Sequence, residues 1–257
     1  MKSITFVIPS RNNLDLLKLC YKSIKDLGND HHVIVLNDAS EDGTQEWLDS
    51  LEDDNLHVYT NPGPDRVGIV GMFDKGIEMA PTDIIFAFHA DMVAGKKLDV
   101  NILQWLKKGK VVSATRIEPP LHPDGPEKIL KDFGIEPEEF DEFGLLDFVS
   151  DHVGTREDEV TNGIFAPWAI YKEDFLAIGG HDPLYAPQSK EDSDIFNRFV
   201  LAGYDLIQTW KGLVYHMTCR GSRFKDGVLR NPAGEVFMKG RESSEWLQQN
   251  LRSTRNF

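Results

Sequence analysis

The sequence predicts an α/β protein with a mostly parallel sheet flanked by helices. Short apolar runs alternate with amphipathic segments through the first half of the chain, which is typical of strand–helix–strand units. Several of these runs are apolar without interruption, as in strands that are buried on both faces of a sheet. With 257 residues, 40% of them hydrophobic, the chain can fill the core of one domain, or of one domain with an appended lobe.

The predicted elements follow one another in a regular order. Strands are predicted at 3–9, 31–37, 56–60, 83–89, 110–116 and 213–216, and regular structure of unassigned type at 163–171. Helices are predicted at 13–28, 42–53, 67–80 and 191–202. In the first helix, apolar side chains recur every three or four residues, and Gly28 marks the end. These apolar side chains are Leu14, Leu17, Tyr21 and Ile24.

Composition limits the classes of function. The chain has 42 acidic and 28 basic residues, a net charge of −14, which argues against nucleic-acid or anionic-membrane binding because both depend on Lys and Arg. Cys20 and Cys219 are too few for a disulfide scaffold or a cysteine-rich zinc site. The N-terminal apolar run is too short for a signal peptide, and no stretch approaches the ~20 apolar residues of a membrane span. We therefore expect a soluble, cytoplasmic protein.

Common catalytic motifs are absent from the sequence. It contains no phosphate-binding loop, no Gly-x-Gly-x-x-Gly turn, no His-Glu-x-x-His helix and no Gly-x-Ser-x-Gly elbow. These absences disfavour phosphate-loop NTPases, nicotinamide dehydrogenases and ordinary serine hydrolases.

Two groups of polar residues follow predicted strands, where open parallel sheets bind their ligands. Asp38 lies in the acidic turn VLNDASEDGT and can accept hydrogen bonds from a nucleobase or ribose; alternatively, Ser40 or Asp42 in this turn serves only as a helix cap. His89 ends the fourth predicted strand, and Asp91 follows it. Together they can reach a divalent cation and a diphosphate, or they form a hydrogen-bonded strand end.

Two further groups lie in the second half of the chain. Glu191, Asp192 and Asp194 open an amphipathic helix, where acids suit the helix dipole. Clustered carboxylates also raise one another's pKa, which suits a general base. His216 ends a strand and is followed by three cations, a combination that binds a metal ion and phosphate or leaves the histidine structural. The three cations are Arg220, Arg223 and Lys225.

Taken in order, four segments resemble family 2 of the glycosyltransferases, which have the nucleotide-diphospho-sugar-binding GT-A fold. FVIPSRNNLDLLKLCYKSI resembles the family's strand, polar turn and helix, and VIVLNDASEDGT resembles its Val-Asp-Asp signature. His89-Ala90-Asp91 stands at the Asp-x-Asp position, and GGHDPLYAPQSKEDSDIFNRFVLAGY resembles the Gly-Gly-Phe-Asp…Glu-Asp-x-Asp block. The resemblance covers about residues 3–217, with 117–160 unmatched.

The resemblance implies a role for each matching position. The donor nucleotide would be bound by Pro9, Arg11, Asn12, Asp38, His89, Ala90, Arg220 and Arg223. Mn²⁺ or Mg²⁺ would be bound by Asp91, His216 and His89. Asp192 would be the general base, with Glu191 as the second candidate.

The implied reaction is inverting, metal-assisted transfer of a sugar from a nucleotide-diphospho-sugar, with a UDP-sugar favoured, to a hydroxyl of a glycan, lipid-linked or other acceptor. Two residues depart from the family pattern: His89 replaces the first acid of Asp-x-Asp, and Asn37 replaces the first acid of Asp-Asp. They motivate the alternative of a non-catalytic module that binds nucleotide sugars or glycans. A sugar nucleotidyltransferase is a further alternative, although the chain lacks the expected glycine-rich, basic phosphate loop.

One GT-A domain is expected at 1–225, with a nucleotide-binding half at 1–116 and an acceptor and catalytic half at 161–225. Between them, 117–160 contains 14 acidic and 3 basic residues, a net charge of −11. We interpret it as an irregular or partly helical insertion, either a solvated excursion or a lid over the acceptor site. A tail at 226–257 follows, with a short helix at 242–251 that docks through Trp246 and Leu247.

Overall fold

A central ten-stranded sheet organises the chain in the computed structural model. The structure describes residues 2–120, 125–156, 160–163, 165–187 and 190–217, together with the strand residues 224–225 and 228–229. The predictions for Arg220, Arg223 and the tail helix with Trp246 and Leu247 lie outside the described residues.

The bounds of the elements are as follows. The strands are β1 Thr5–Ser10, β2 His32–Asp38, β3 Leu56–Asn61, β4 Ile84–Ala87, β5 Met92–Ala94, β6 Lys110–Glu118, β7 Lys128–Leu130, β8 Val160–Asn162, β9 Trp168–Tyr171, β10 Asp205–His216, β11 Phe224–Lys225 and β12 Val228–Leu229. The helices are α1 Leu14–Lys25, α2 Thr44–Asp49, α3 Ile69–Met79, α4 Leu98–Leu103, α5 Glu142–Thr155, α6 Lys172–Ala177 and α7 Glu191–Leu201. Short 3₁₀ turns lie at Pro137–Glu139 and Pro183–Tyr185.

The sheet has the strand order β3-β2-β1-β4-β9-β6-β10-β5, with β7 beside β6 and β8 beside β10. Strands β1 to β4 pair in parallel, and β6 is parallel to β10 and β7. Strand β9 is antiparallel to both of its neighbours, and β5 and β8 are antiparallel to β10. The predicted mostly parallel α/β sheet is confirmed, with β9 joining its two parallel parts.

Helices cover both faces of the sheet because its strands are apolar on both sides. In β1, Phe6 packs on one face with Leu17 of α1, while the next residue, Val7, packs on the other face with Phe73 of α3. Helices α1 and α4 thus cover one face and α3, α6 and α7 the other. This two-sided burial is the physical reason that the strand sequences lack a polar alternation.

The acidic segment is partly helical, as predicted, and packs into the domain through a third apolar cluster. Phe133, Leu145 and Val149 from this segment meet Tyr215 of β10. The Tyr215 hydroxyl donates to the Gly134 carbonyl at 2.7 Å and accepts from the Phe133 N–H at 3.0 Å. Exposed acids cover the outer side: Glu138, Glu139, Asp147 and Asp151. The segment is therefore apolar on its inner side and solvated on its outer side.

Several predicted boundaries differ from the structure. The strand predicted at 110–116 continues to Glu118, so the first residues of the expected insertion belong to β6. The strand predicted at 213–216 is the end of β10, which begins at Asp205. The pairing of β10 with β6 shifts in register between Thr209 and Leu213. This irregularity interrupts the strand pattern in the sequence. No helix in the described part of the chain is long and apolar enough to cross a bilayer.

Candidate active site

Polar side chains from distant parts of the chain meet at the ends of β6 and β10 and in the turn between β4 and β5. Antiparallel pairing with β5 places His216 opposite Met92, and the Met217 N–H donates to the Asp91 carbonyl at 3.0 Å. Parallel pairing with β6 places Tyr215 opposite Ile117. The two pairings together bring His216 between Asp91 and Glu118.

The His216 imidazole contacts a carboxylate on each side. Its Nε2 atom lies 3.5 Å from Asp91 Oδ2, and its Nδ1 atom lies 2.8 Å from Glu118 Oε1. Lys128 Nζ lies 2.9 Å from the second oxygen of Glu118, and Arg116 Nε lies 3.5 Å from the first. The site is thus a line of alternating charges that runs from β7 to the β4–β5 turn.

Burial and charge act in opposite directions on this group. Burial opposes the charge on His216, but the carboxylates of Asp91 and Glu118 outweigh it and raise the His216 pKa to about 9. Burial also opposes the charge on Asp91. The attraction of His216 outweighs this effect of burial, so the Asp91 pKa falls to about 2. Likewise, His216, Arg116 and Lys128 outweigh the burial of Glu118 and lower its pKa to about 2. At neutral pH, in the absence of a bound cation, both carboxylates and the imidazole are therefore charged.

The His89 side chain lies against α3. Its ring meets Phe73 edge-on with 5.6 Å between the ring centres, whereas its neighbours Phe88 and Ala90 pack in the cluster on the opposite face. Burial lowers the pKa of His89, partly offset by the charges of Asp91 and Asp192. In the described ranges, no three His, Cys, Asp or Glu side chains form a group that could hold a metal ion. The structure thus brings Asp91 and His216 together but does not add His89 to them as a third ligand.

Asp91 and His216 fit a divalent cation that a substrate also ligates. A carboxylate oxygen and an imidazole nitrogen suit Mn²⁺, and these two atoms lie 3.5 Å apart. Such cations commonly take one or two protein ligands and complete their coordination with substrate phosphates and water. The two residues would therefore suffice beside a diphosphate.

Asp38 is buried at the end of β2, with only 4% of its surface exposed. Its carboxylate accepts from the Val67 and Gly68 N–H groups, both at 2.8 Å, and from Asn61 Nδ2 at 2.7 Å. Arg11 donates to the Asp38 carbonyl at 2.7 Å. The Asp38 side chain thus holds the loop between β3 and α3, and one of its oxygens accepts a single hydrogen bond.

The turns after β1 and β2 are linked by side chains. Asn12 has a positive φ of 52°; its N–H donates to Ser40 Oγ, and its side-chain oxygen accepts from the Glu41 N–H. Asp42 accepts from the first N–H of α1, that of Leu14, and from the N–H of Thr44 in α2. Asp42 therefore caps helices, which is one of the two interpretations of the acidic turn. Ser40 instead accepts a hydrogen bond from Asn12 in the turn after β1. Pro9 lies within β1 opposite Leu36.

The acids that open α7 divide into two roles. Asp194 is 1% exposed and binds Arg198 Nε at 2.9 Å, and Arg198 also donates to the Gly180 carbonyl at 2.7 Å. Asp192 is only partly buried, and its charge acts on His89. Asp194 is thus a structural residue, while Asp192 is the acid of this turn that interacts electrostatically with a predicted site residue. Glu191 is partly buried beside it.

Two groups near the site were not found from the sequence. Glu118 follows Arg116 and Ile117 at the end of β6; the strand predicted at 110–116 ends two residues before it, so the prediction places Glu118 in the insertion. His181 Nδ1 lies 2.6 Å from Asp74 Oδ1, which ties the turn before Pro183 to α3. A Cβ on Gly180, whose φ is +69°, would lie 2.8 Å from Asp74. Because Asp74 and His181 are 107 positions apart, no local pattern reveals this pair.

This sheet, with an acidic turn after β2 and a carboxylate–imidazole pair at the ends of distant strands, has the architecture of the GT-A glycosyltransferases. A crystal structure of GalNAc-T7 with UDP, GalNAc and Mn²⁺ superposes with a TM-score of 0.69 and 15% identity, over 99% of this chain and 48% of that chain. The structure of the mannosyltransferase PcManGT from Pyrobaculum calidifontis, in complex with GDP-Man and Mn²⁺, superposes with a TM-score of 0.57 and 17% identity. The superposition covers 86% of this chain and 58% of that chain.

The family model described as "Glycosyl transferase family 2" matches residues 5–154, more than half of the chain. The chain belongs to this family. The match includes most of the acidic segment that the sequence motifs left unmatched. An undecaprenyl-phosphate mannosyltransferase of Micrococcus luteus is 32% identical over 89 residues, which are 33% of this chain and 36% of that protein. The chain thus matches about a third of this relative and about half of the solved chains.

Proposed function

We propose that the chain transfers a sugar, with inversion, from a nucleotide-diphospho-sugar to an acceptor hydroxyl, with the help of a divalent cation. The observation that carries this proposal is the Asp91–His216 pair, which fits a cation shared with a diphosphate. The fold and the family membership support it. A non-catalytic module and a nucleotidyltransferase have no comparable support.

The donor would lie in the crevice beyond the carboxyl ends of β1 and β2, where such sheets bind nucleotides. Asp91 and His216 would hold Mn²⁺ or Mg²⁺, which neutralises the charge that develops on the leaving diphosphate. The turns that carry Arg11 and Asn12 would border the base and ribose. Asp38 would hold this side of the crevice in place through the β3–α3 loop. Its Oδ2 atom, which accepts a single hydrogen bond, would be available to the nucleoside. We propose a UDP-sugar as the donor, with a GDP-sugar as the alternative.

Asp192 would act as the general base. Asp194 is occupied by Arg198, so Asp192 is the better placed of the two to receive a proton. As the acceptor oxygen attacks the anomeric carbon from the side opposite the diphosphate, its proton would pass to the Asp192 carboxylate. The bond to the nucleoside diphosphate breaks in the same step. The acceptor would be a hydroxyl of a glycan or of a lipid-linked sugar, and the name of the Micrococcus relative suggests the lipid link.

The Asp192→Asn variant tests this assignment. The amide has the same shape but cannot accept the proton, so turnover should fall by about 10²–10⁴-fold, while donor affinity stays within about twofold of the wild type. Release of nucleoside diphosphate measures turnover, and calorimetry measures donor affinity. Ser193→Ala, at an exposed neighbouring position, is the control and should behave as the wild type. Near-normal turnover of Asp192→Asn would remove it from the role of base.

A panel of nucleotide sugars tests the donor class. A ligand that binds only the folded protein raises its apparent stability, so the correct donor should raise the melting temperature more with Mn²⁺ than without it. Slow release of UDP or GDP from that donor would exclude the non-catalytic module. Pyrophosphate release from UTP and a sugar phosphate would instead support a nucleotidyltransferase.

A further inference from the structure

We infer that Glu118 is a positioning residue for the cation site: it holds the His216 imidazole with its Nε2 atom toward Asp91. This inference rests on the proposed function, because it concerns the cation that Asp91 and His216 would share. It assigns a role to a residue that the sequence placed in the acidic insertion.

The orientation of the imidazole follows from its two contacts. An ionised carboxylate only accepts hydrogen bonds, so the 2.8 Å contact with Glu118 puts a proton on Nδ1 of His216. Nε2 is then the nitrogen that can lose its proton and bind a cation. Its 3.5 Å distance from Asp91 is longer than an ordinary hydrogen bond. Histidines that bind metals usually donate their other N–H to a carboxylate in this way.

Glu118 is itself held in place. Its side chain is 3% exposed, and Lys128 binds its second oxygen at 2.9 Å. Lys128 lies on β7, in register with Arg116 of β6, and Arg116 contacts the first oxygen of Glu118. With cations on both oxygens, the carboxylate cannot turn away from His216. The first strand of the acidic segment thereby braces the cation site.

Removal of Glu118 would release the imidazole. His216 could then turn so that one nitrogen forms a direct hydrogen bond of about 2.8 Å with Asp91. That contact would occupy both atoms that the cation needs. The inference therefore predicts a loss of metal affinity although neither proposed ligand is changed.

Binding of Mn²⁺ in the presence of saturating UDP, measured by electron paramagnetic resonance and calorimetry, tests the inference. Glu118→Ala should weaken Mn²⁺ binding about 10–100-fold, as is typical for such carboxylates. Glu118→Gln should lose less, because its amide oxygen still accepts from Nδ1. Glu127→Ala is the matched control, since this neighbouring carboxylate pairs with Arg116 instead, and it should stay within about twofold of the wild type.

A double-mutant cycle separates positioning from a general effect of charge or stability. In a His216→Ala background, Glu118→Ala should change Mn²⁺ affinity by less than about twofold. An equal loss in both backgrounds would overturn the inference, as would unchanged affinity of Glu118→Ala in the wild-type background. If the wild type binds no Mn²⁺ with UDP or GDP, the metal-dependent function fails as well.

Discussion

The Asp38 carboxylate accepts three hydrogen bonds, one from Asn61 at the end of β3 and two from the backbone N–H groups of Val67 and Gly68 just before α3. Backbone donors that are buried must find acceptors inside the protein. A charged acceptor makes these hydrogen bonds stronger than neutral ones. The stability of the β3–α3 loop therefore depends on this side chain.

We expect Asp38→Ala to lower the free energy of unfolding by about 3 kcal/mol, because buried donors lose a charged acceptor. Asp38→Asn, which keeps one acceptor oxygen, should lose about half as much. Urea denaturation measures both. Glu46→Ala, an exposed acid on α2, should change stability by less than about 0.5 kcal/mol. A variant at Asp38 with normal stability and no donor affinity would show instead that the carboxylate serves only the nucleotide.

The sequence allowed the prediction of site residues that directly follow apolar strands or open a helix, such as Asp91, His216 and Asp192. The pairing of Asp91 with His216 is shown by the structure, while the role of Asp192 stays a prediction. Glu118 and the His181–Asp74 pair could not be found in this way. Their significance comes from strand register and from contacts across the sheet, which leave no trace in local spacing.

The second half of helix α1 contacts Asp53, which lies in the loop before β3. Tyr21 donates to Asp53 at 2.6 Å, and Lys25 lies 2.8 Å from the same oxygen. Burial would raise the pKa of Asp53, but these partners outweigh it and lower the pKa to about 2. The contact joins α1 to the loop that leads into β3.

This contact should give stability a specific pH dependence. Because the pKa of Asp53 is lower in the folded than in the unfolded chain, where it is about 3.9, its contribution is fully present above pH ~5 and is lost as the pH falls toward 2. Asp53→Asn should therefore destabilise the protein at pH 6 and progressively less at pH 4 and pH 3. Melting temperatures measure this. Asp54→Asn, at an exposed neighbour, should show no such trend, and a constant difference at all three pH values would contradict the assignment.

At the level of elements, β1, α1 and β2 were predictable because each has a local apolar pattern. Strands β5, β7 and β8 were not, since each has three residues and gains its stability from pairing with distant strands. Strand β9 was recognised only as regular structure, and its antiparallel pairing with β4 and β6 depends on the whole sheet. The pairing of strands that are distant in the chain could therefore not be predicted from the sequence.

The charge of the whole molecule is concentrated in one segment. Of the net −14, residues 117–160 contribute −11, and the structure places several of these acids on the outer side of α5 and the turn before it. The remainder of the chain, at −3, is nearly neutral. A substrate that carries phosphate would be repelled by this outer surface more than by the rest of the protein.

We expect neutralisation of this surface to alter acceptor kinetics more than donor affinity. The variant replaces Glu138, Glu139, Asp147 and Asp151 with their amides. For an acceptor that bears phosphate, its apparent KM should fall several-fold at low ionic strength and return toward the wild type with salt, while the donor Kd changes less than about twofold. Steady-state kinetics at two ionic strengths measure this. The matched control carries the same charge change elsewhere, at Glu46, Glu52, Asp54 and Glu78. The reverse result, a donor effect alone, would refute a link to the acceptor.

The position of β5 in the sheet has a consequence for synthesis on the ribosome. β5 closely follows β4 in the chain, yet β9, β6 and β10 lie between them in the sheet. At typical elongation rates, the segment from β5 to β10 takes on the order of 10 s to emerge, and during that time β5 lacks its partner strand. Asp91 likewise lacks its contact with His216 until β10 has been synthesised. The Asp91–His216 pair therefore forms only when the growing polypeptide closes its sheet, and a nascent chain that stops before β10 lacks this pair.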